Sequence, residues 1–542
     1  MDSRAAQPAM AGDMLDSWKA IAAYLHRDVR TVIRWERDRG LPVHRLPGGG
    51  RSGVYALKSE LEAWWTSTNS GLAEPAERPV QQSRGPSIAV LPFANLNWDQ
   101  ETEYFSHGLA DEVITALTRI PGLMVTARSS SFTFRGKASD VRAVGEMLGV
   151  STLLEGSIRR SGERIRVSAQ LLDAGSGFHL WSETYERQLS DVFAIQEEIS
   201  NSIAGVLKLR LTPLPPRPAV TLEAYQHWLK GRYYQQFDTP DLVKVSAYFQ
   251  QAIALDPAFP KPYLSLAELL RNAAEFGFVS PREAGAQGVA ALRKALELDD
   301  ASGEAHALSG AYRAWMEFDW QGAEHDFDRA LTLSPASRLV HEFRAMNLLL
   351  PTGRLAEAER EMERATDLDP LSPLVHCVFA WFLLFARKFD RALEEIETAM
   401  AVKPDYGATY VFRGSVLYFL GRVDEAIASW EHAIQALGPT PILIGAYGTG
   451  LAFAGRRSEA LAKLAELDGA AKQQYVSPIS RAWINIGLGN YEAAFHWLER
   501  AVDERCPHIL TIPTKPLFDP MRRDQRFTAL LRKMKLVDRP IR

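Results

Sequence analysis

Arg30, Arg34 and Arg37 recur at i, i+4 and i+7 within the run VRTVIRWERDRG. A helix there would carry all three on one exposed face and turn Val32 and Trp35 inward. Forked, permanently charged guanidinium groups at that spacing suit guanine edges and phosphate oxygens, so the chemistry they suggest is the reading of duplex DNA. The surrounding charge agrees. Between residues 17 and 58 nine Lys or Arg stand against three Asp or Glu, a net of +6, in a chain whose overall charge is −4. Positive charge is therefore local, and the molecule as a whole is no nucleic-acid magnet.

Other candidates for chemistry are weaker. Gly48-Gly49-Gly50-Arg51-Ser52-Gly53 matches G-x-G-x-x-G, but no strand and helix of a βαβ unit flank it. Gly136-Lys137 lacks the earlier glycine of a phosphate loop and is followed by Ala138, which cannot hold Mg²⁺. His107 and His179 have no convergent ligand pattern and read as structural or exposed. Asp111 and Glu112 read as acids in the first turn of a helix, at the positive end of its dipole. Cys377 and Cys506, the two cysteines of the chain, read as a buried thiol and a loop thiol, with no His and Asn pattern that would make a nucleophile. Ser129-Ser130-Ser131 and Phe132-Thr133-Phe134 have no role evident from spacing. No catalytic residue, cofactor or metal site is expected, and the reading is of a protein that is not an enzyme.

The arginines need elements to hold them. Residues 17–25, SWKAIAAYL, form a first helix with Ser17 as N-cap and Trp18, Ile21, Ala22 and Leu25 on one face. After His26-Arg27-Asp28, a second helix ends at Gly40, which is helix-turn-helix spacing. The glycine-rich tip that follows suggests a hairpin wing, and residues 58–65 look helical. Over about 50 residues, the segments IAAYL, VRTVIRWE, GLPVHR and ALKSELEAWW resemble the MerR/excisionase-like winged helix-turn-helix family. That resemblance implies a second helix in the major groove, with Arg45 and Arg51 approaching phosphates from the wing. The expected DNA-contacting set is Arg27, Arg30, Thr31, Arg34, Arg37, Arg45 and Arg51.

Residues 67–86, rich in Ser, Pro, Glu and Gln, read as a flexible linker. From residue 87 the pattern β-α-β-α-β-β-β-α indicates a mixed sheet with helices on one face. Here SIAVLPFANL, EYFSHGLADEVITALTRIPGLMVTARSSSFTFRGK, LGVSTLLEGSIRR, RIRVSAQLLDAGSGFHLWSETYER and VFAIQEEIS resemble the TolB amino-terminal-like domain of bacterial regulators, many of them labelled as relatives of adenylate cyclases. In such relatives this domain and a repeat array follow various output domains.

A period of 34 or 35 residues governs the second half. Ala311, Ala345, Ala380, Gly414, Gly448 and Ala482 repeat in register with Ala323, Ala358, Ala392, Ala426, Ala460 and Ala494. Small residues where two helices touch, and a Pro where the second stops, are the tetratricopeptide signature. Such solenoids present surface to partners, which predicts a protein or peptide partner and a right-handed superhelix. Trp315, Trp381, Trp430 and Trp497 read as helix-packing residues.

The expected organisation is multidomain: a small winged helix-turn-helix module at 14–66, a linker at 67–86, a TolB-like α/β domain at 87–212, about eight all-α tetratricopeptide pairs at 221–505, and a segment at 506–542 that caps the last pair. At 542 residues, 46% hydrophobic and 24% charged, the composition is that of a globular protein. Residues 1–16 carry acids and no apolar core, so no secretory signal is read, no run is long enough to span a membrane, and a cytoplasmic location is expected. The function these features predict is a DNA-binding transcriptional regulator with a TolB-like relay and a repeat sensor, with homodimerisation through a free sheet edge. The alternative is a non-catalytic signalling scaffold without specific DNA binding.

Overall fold

The structure is a computed structural model. It describes residues 14–15, 17–25, 32, 41–45, 54–61, 64, 85–134, 140–188, 192–209, 220–235 and 241–537. The chain divides into two compact units, Met1–Arg84 and Gly85–Arg542.

In the first unit β1 (Met14–Leu15) and β2 (His44–Arg45) both pair antiparallel with β3 (Val54–Leu57). Helix α1 (Trp18–Tyr24) starts at Ser17, whose hydroxyl accepts the Ala20 N–H at 3.2 Å. Ile21 and Ala22 from α1 share a small core with Val32, Leu41, Val54, Ala56 and Leu61.

The second unit opens on a sheet of order β6-β4-β7-β8-β9, where β4 is Ser87–Val90, β6 Met124–Val125, β7 Thr152–Ser161, β8 Arg164–Asp173 and β9 His179–Gln188; the short β5 (Ala94–Asn95) pairs with β7. Strand β4 runs parallel to β6 and β7, and the antiparallel β7-β8-β9 meander follows. Alternation along β4 decides which side each residue serves. Ile88 and Val90 join the core formed with α2 (Gln100–Leu117), while Ala89 packs on the opposite face with Val144 and Leu148 of the helix Val141–Leu148. The expectation of helices on one face is corrected: both faces are covered, and β4 is buried at every position, with Ile88 and Val90 turned to one face and Ala89 to the other.

Among the described residues eight helical pairs follow, starting with α3 (Leu222–Gln235) and Leu242–Leu255, and ending with Pro478–Gly487 and Tyr491–Asp503. The small residues of the period meet inside the pairs: Ala311, Ala345, Ala380 and Ala482, and their partners Ala323 through Ala494, are all fully buried. At Gly414 a Cβ would lie 2.6 Å from the Trp430 ring, and at Gly448 2.7 Å from Ile484. Only glycine lets those helices close.

The sheet and the helical pairs share one core. Helix α2 presses on α3 so closely that a Cβ at Gly108 would sit 2.1 Å from Leu229, and Tyr225, Trp228 and Phe249 join Leu109 and Val113 in a single cluster. The last segment also goes further than the final pair. Its residues Ile509, Phe518, Phe527, Leu530 and Met534 are buried, and it runs back across the first helices of earlier pairs.

Candidate functional site

Of the seven arginine and threonine positions predicted to touch DNA, Arg27, Arg30, Thr31, Arg34, Arg37 and Arg51 lie outside the described residues; Arg45 stands in β2. The helix on which that prediction depends is described only at Val32, which is buried.

The side chains that do converge are in the second unit. Asp111 and Glu112 belong to the middle of α2, where the expectation had them in its first turn; the acids of that turn are Glu101 and Glu103. From mid-helix they face the first helices of the array. Asp111 lies 3.4 Å from Arg232 and 4.0 Å from Arg128, and Glu112 pairs with Lys261. Arg232 also reaches Glu268 at 3.4 Å, and Arg119 reaches Asp299 at 3.9 Å. Except for Arg128, these groups line a cleft of about 80 Å³ together with Trp228, Ser265 and Glu304. Burial pushes the Asp111 carboxyl up, but Arg128, Arg232 and Lys261 outweigh it and leave it below the ordinary range. Glu304 goes the other way: burial raises it against the pull of Arg232, and the Ser337 hydroxyl donates to it at 3.2 Å. The described lining holds five carboxylates, Asp111, Glu112, Glu268, Asp299 and Glu304, against three cations, Arg119, Arg232 and Lys261, so the cleft can bind polar groups.

Two groups that the sequence left without a role acquire one. Ser129 and Ser130 clamp Asp369, a fully buried carboxylate at the turn between the fourth and fifth pairs. Ser129 Oγ donates to it at 2.5 Å, and the Ser130 hydroxyl and N–H donate at 2.6 and 3.0 Å. Arg338 Nε stands 3.6 Å away, and the Ala127 N–H donates to the Leu368 carbonyl at 2.7 Å. His107 is buried against the Phe132 ring and Glu103, a structural placement.

The groove formed by the first helices is occupied by the chain itself. Lys515, 6% exposed, places its ammonium 3.8 Å from the Trp483 ring and 4.9 Å from the Trp381 ring. Burial lowers its pKa to about 7. Trp315 donates to the Arg505 carbonyl at 2.5 Å, Trp320 donates to the Met534 carbonyl at 2.9 Å, and Arg387 binds Asp519 at 2.7 Å. An arm that touches the third, fifth and eighth pairs must cross the groove. Trp381 and Trp315 thus serve the arm as well as helix packing, whereas Trp430 packs within its own pair and donates to the Val411 carbonyl at 3.1 Å. Cys506, read as a loop thiol, stands in the loop before the turn Pro507–Thr511 and is buried there, and burial pushes its thiol up to about 11; Cys377 is likewise pushed up to about 12. Among the described residues no group of three or more His, Cys, Asp or Glu is placed to hold a metal ion, and no helix is long and apolar enough to cross a membrane.

No family model matches the chain. Over 280 residues it is 33% identical to a Rhizobium meliloti (strain 1021) protein named "Putative adenylate cyclase 3", covering 49% of this chain and 48% of that one. The chain thus spans about half the length of this curated relative. Among solved structures it is similar to pilF of Pseudomonas aeruginosa (19% identity, 44% of this chain and 98% of that one, TM-score 0.31). It is also similar to YrrB, a TPR protein with an unusual peptide-binding site (20%, 35% and 92%, TM-score 0.24). TolB from Acinetobacter baumannii matches at 21% identity over 23% of this chain and 28% of that one, with a TM-score of 0.18. At such scores the likenesses carry no functional weight. The helical array resembles tetratricopeptide solenoids on the ground of its own 34-residue period and eight stacked pairs.

Proposed function

We propose that this chain is a non-catalytic signalling scaffold that docks a protein or peptide partner on its tetratricopeptide-like array. The observation that carries the reading is the groove, which already holds a segment of the chain's own polypeptide, folded as two 3₁₀ turns and a short helix, with a lysine seated between two indole rings. Aromatic faces attract a desolvated ammonium, and first helices of successive repeats present a continuous surface to a peptide ligand. The favoured partner is therefore a lysine-bearing apolar peptide that competes with the arm. A peptide array probed with the purified full chain tests this. Retained peptides should carry a lysine within an apolar stretch, and a soluble peptide of residues 506–536 should compete for them. Retention of no such class, or cyclisation of adenine nucleotides by the same preparation, overturns the reading.

A second reading is favoured by the +6 charge of residues 17–58: the first unit binds duplex DNA and the scaffold regulates its occupancy. Arg30→Ala with Arg34→Ala should then remove sequence preference, each good base contact being worth about 1–3 kcal/mol. Affinity of the full chain for duplex should fall steeply with salt as counterions are released. Full site preference in the double variant removes the arginine face from the reading. A cytoplasmic location belongs to the same proposal, as does a homodimer formed through β9, which pairs with β8 alone among the described strands.

A further inference from the structure

A pocket of about 300 Å³ lies where the arm returns to the early pairs, and it is built from four separated stretches of chain. Arg282 comes from the start of the helix Pro281–Leu298, Met316 from the π-helical turn Arg313–Glu317, Asp503 and Arg505 from the end of the last pair, and Lys533 from the arm helix Gln525–Lys533. Three cations thus face one carboxylate. Their hydrogen bonds leave most of that charge uncompensated. Arg282 donates through Nε and Nη2 to the main-chain carbonyl of Asp503 at 3.2 and 3.0 Å, and Arg505 donates to the Val502 carbonyl at 3.3 Å. Lys533 alone pairs with the Asp503 carboxylate. A carbonyl dipole orients a guanidinium without cancelling its charge, so the pocket keeps a net of about +2.

The position of Arg505 is fixed on every side. Its backbone is left-handed at φ 57°, its carbonyl accepts from Trp315, and its guanidinium stacks 4.0 Å from the ring of Phe318, itself left-handed at φ 52°. Burial lowers its pKa; the Asp503 carboxylate pulls it back up and the nearby charge of Arg282 lowers it again, leaving it below the ordinary arginine range. That repulsion between two guanidinium groups is what a bound anion would relieve.

We infer that the pocket lined by Arg282, Arg505 and Lys533 binds a small anion of phosphate chemistry, a diphosphate or a phosphorylated small molecule, and that the bound anion braces the arm against the early pairs. Two forked guanidinium groups and an ammonium match the several oxygens of a phosphate chain better than the single edge of a carboxylate. Because the lining residues come from the second, third and last pairs and from the arm, a ligand that bridges them stabilises the docked arm over a released one. The site is separate from the Lys515 cage and does not depend on what the groove binds.

The experiment uses the full chain and inorganic diphosphate, titrated by calorimetry, with chloride at equal ionic strength as the reference. Diphosphate should bind at one site, raise the unfolding temperature and slow proteolysis within residues 506–536. The exposed side chains of Arg282 and Lys533 can be altered without opening the core; Arg282→Ala and Lys533→Ala should each weaken binding at least tenfold, and Arg282→Lys should restore part of it. No binding at millimolar diphosphate overturns the proposal. So does binding that Arg282→Ala and Lys533→Ala leave unchanged, which would mark an adventitious ion only.

Discussion

Lys515 shows how one residue can register pH. Its amine is buried between Trp381 and Trp483, and that burial lowers its pKa from the ordinary 10.5 to about 7. The titratable group beside it is His508, pushed down to about 4 by burial and stacked edge-on against Trp483, with Glu275 and Arg271 acting on His508 in turn; Arg522 donates to the Lys515 carbonyl at 3.2 Å. Between the two pKa values the unfolded chain holds a proton that the folded chain has released, so this group makes stability rise with pH across that window. Cys506 and Cys377, with folded pKa values of about 11 and 12, act in the opposite sense above pH 9. Burial lowers His376, but the Glu395 carboxylate and the Pro370 carbonyl outweigh it and hold it above its ordinary 6.5, so it too acts in the opposite sense as pH rises through neutrality, and the Lys515 contribution between pH 7 and 8.5 is read as the difference between the wild-type chain and a Lys515 variant. The thermal unfolding midpoint of the wild-type chain should gain more from pH 7 to pH 8.5 than that of Lys515→Met. An equal slope in the variant would assign the pH response to another group. Little of this was legible in the sequence: Lys515 stands in a run, TIPTKPLFDP, without periodic pattern, and its two tryptophans lie 134 and 32 residues upstream. The mid-helix acids Asp111 and Glu112 were misplaced for a related reason. A sequence shows that a helix is acidic but not which neighbour supplies the cations, and Arg232 and Lys261 come from different helical pairs.

At the scale of elements, legibility followed periodicity. The buried alanines of the array were readable because a helical pair must repeat its point of closest approach, and Ala392, Ala426 and Ala460 fill that point in successive pairs with no exposed area. The strands β7, β8 and β9 were readable from alternation and from the turn glycines, Gly162 and Gly177 holding positive φ at 61° and 76°. What periodicity cannot convey is the side of a sheet to which a helix returns. Helix Val141–Leu148 crosses to the face opposite α2 because Val144 and Leu148 find Ala89 and Leu153 there, a choice made by packing after the elements exist. Short elements were illegible for want of repeats: the turn of helix Arg128–Ser131 and the 3₁₀ turns Pro507–Thr511 and Pro516–Met521 are each under two α-helical turns long. Yet these aperiodic pieces make the long-range connections. The first carries the serines that hold Asp369, and the other two carry the arm across the groove.

For the whole molecule, the decisive contact is the clamp on Asp369, because it joins parts of the chain some 240 residues apart. The sequence divides the sheet domain from the array at a proline-rich stretch, whereas the structure places both in the single unit Gly85–Arg542. Contacts along the first four pairs account for the union: α2 against α3 at the first, Glu112 against Lys261 and Arg119 against Asp299 at the second, and Ser129-Ser130 against Asp369 at the fourth. The last of these holds the array far from the first pair, and the array cannot flex there without breaking buried hydrogen bonds. Replacing Asp369 with Ala removes the acceptor for Ser129 and Ser130 and leaves Arg338 with Glu342 as its remaining carboxylate partner. Loss of one member of a buried charged network costs roughly 3 to 5 kcal/mol, because the groups left behind stay desolvated. Since the contact between α2 and α3 survives, that loss should fall on cooperativity before it falls on folding. Calorimetry on Asp369→Ala should resolve the single transition of the wild-type chain into two, and hydrogen exchange should quicken in residues 127–134 and 366–372 while the buried helices of the last three pairs keep their protection. A variant that unfolds in one transition at the wild-type temperature would show that the α2 contact alone unites the sheet and the array, and that the serine clamp adds nothing to it.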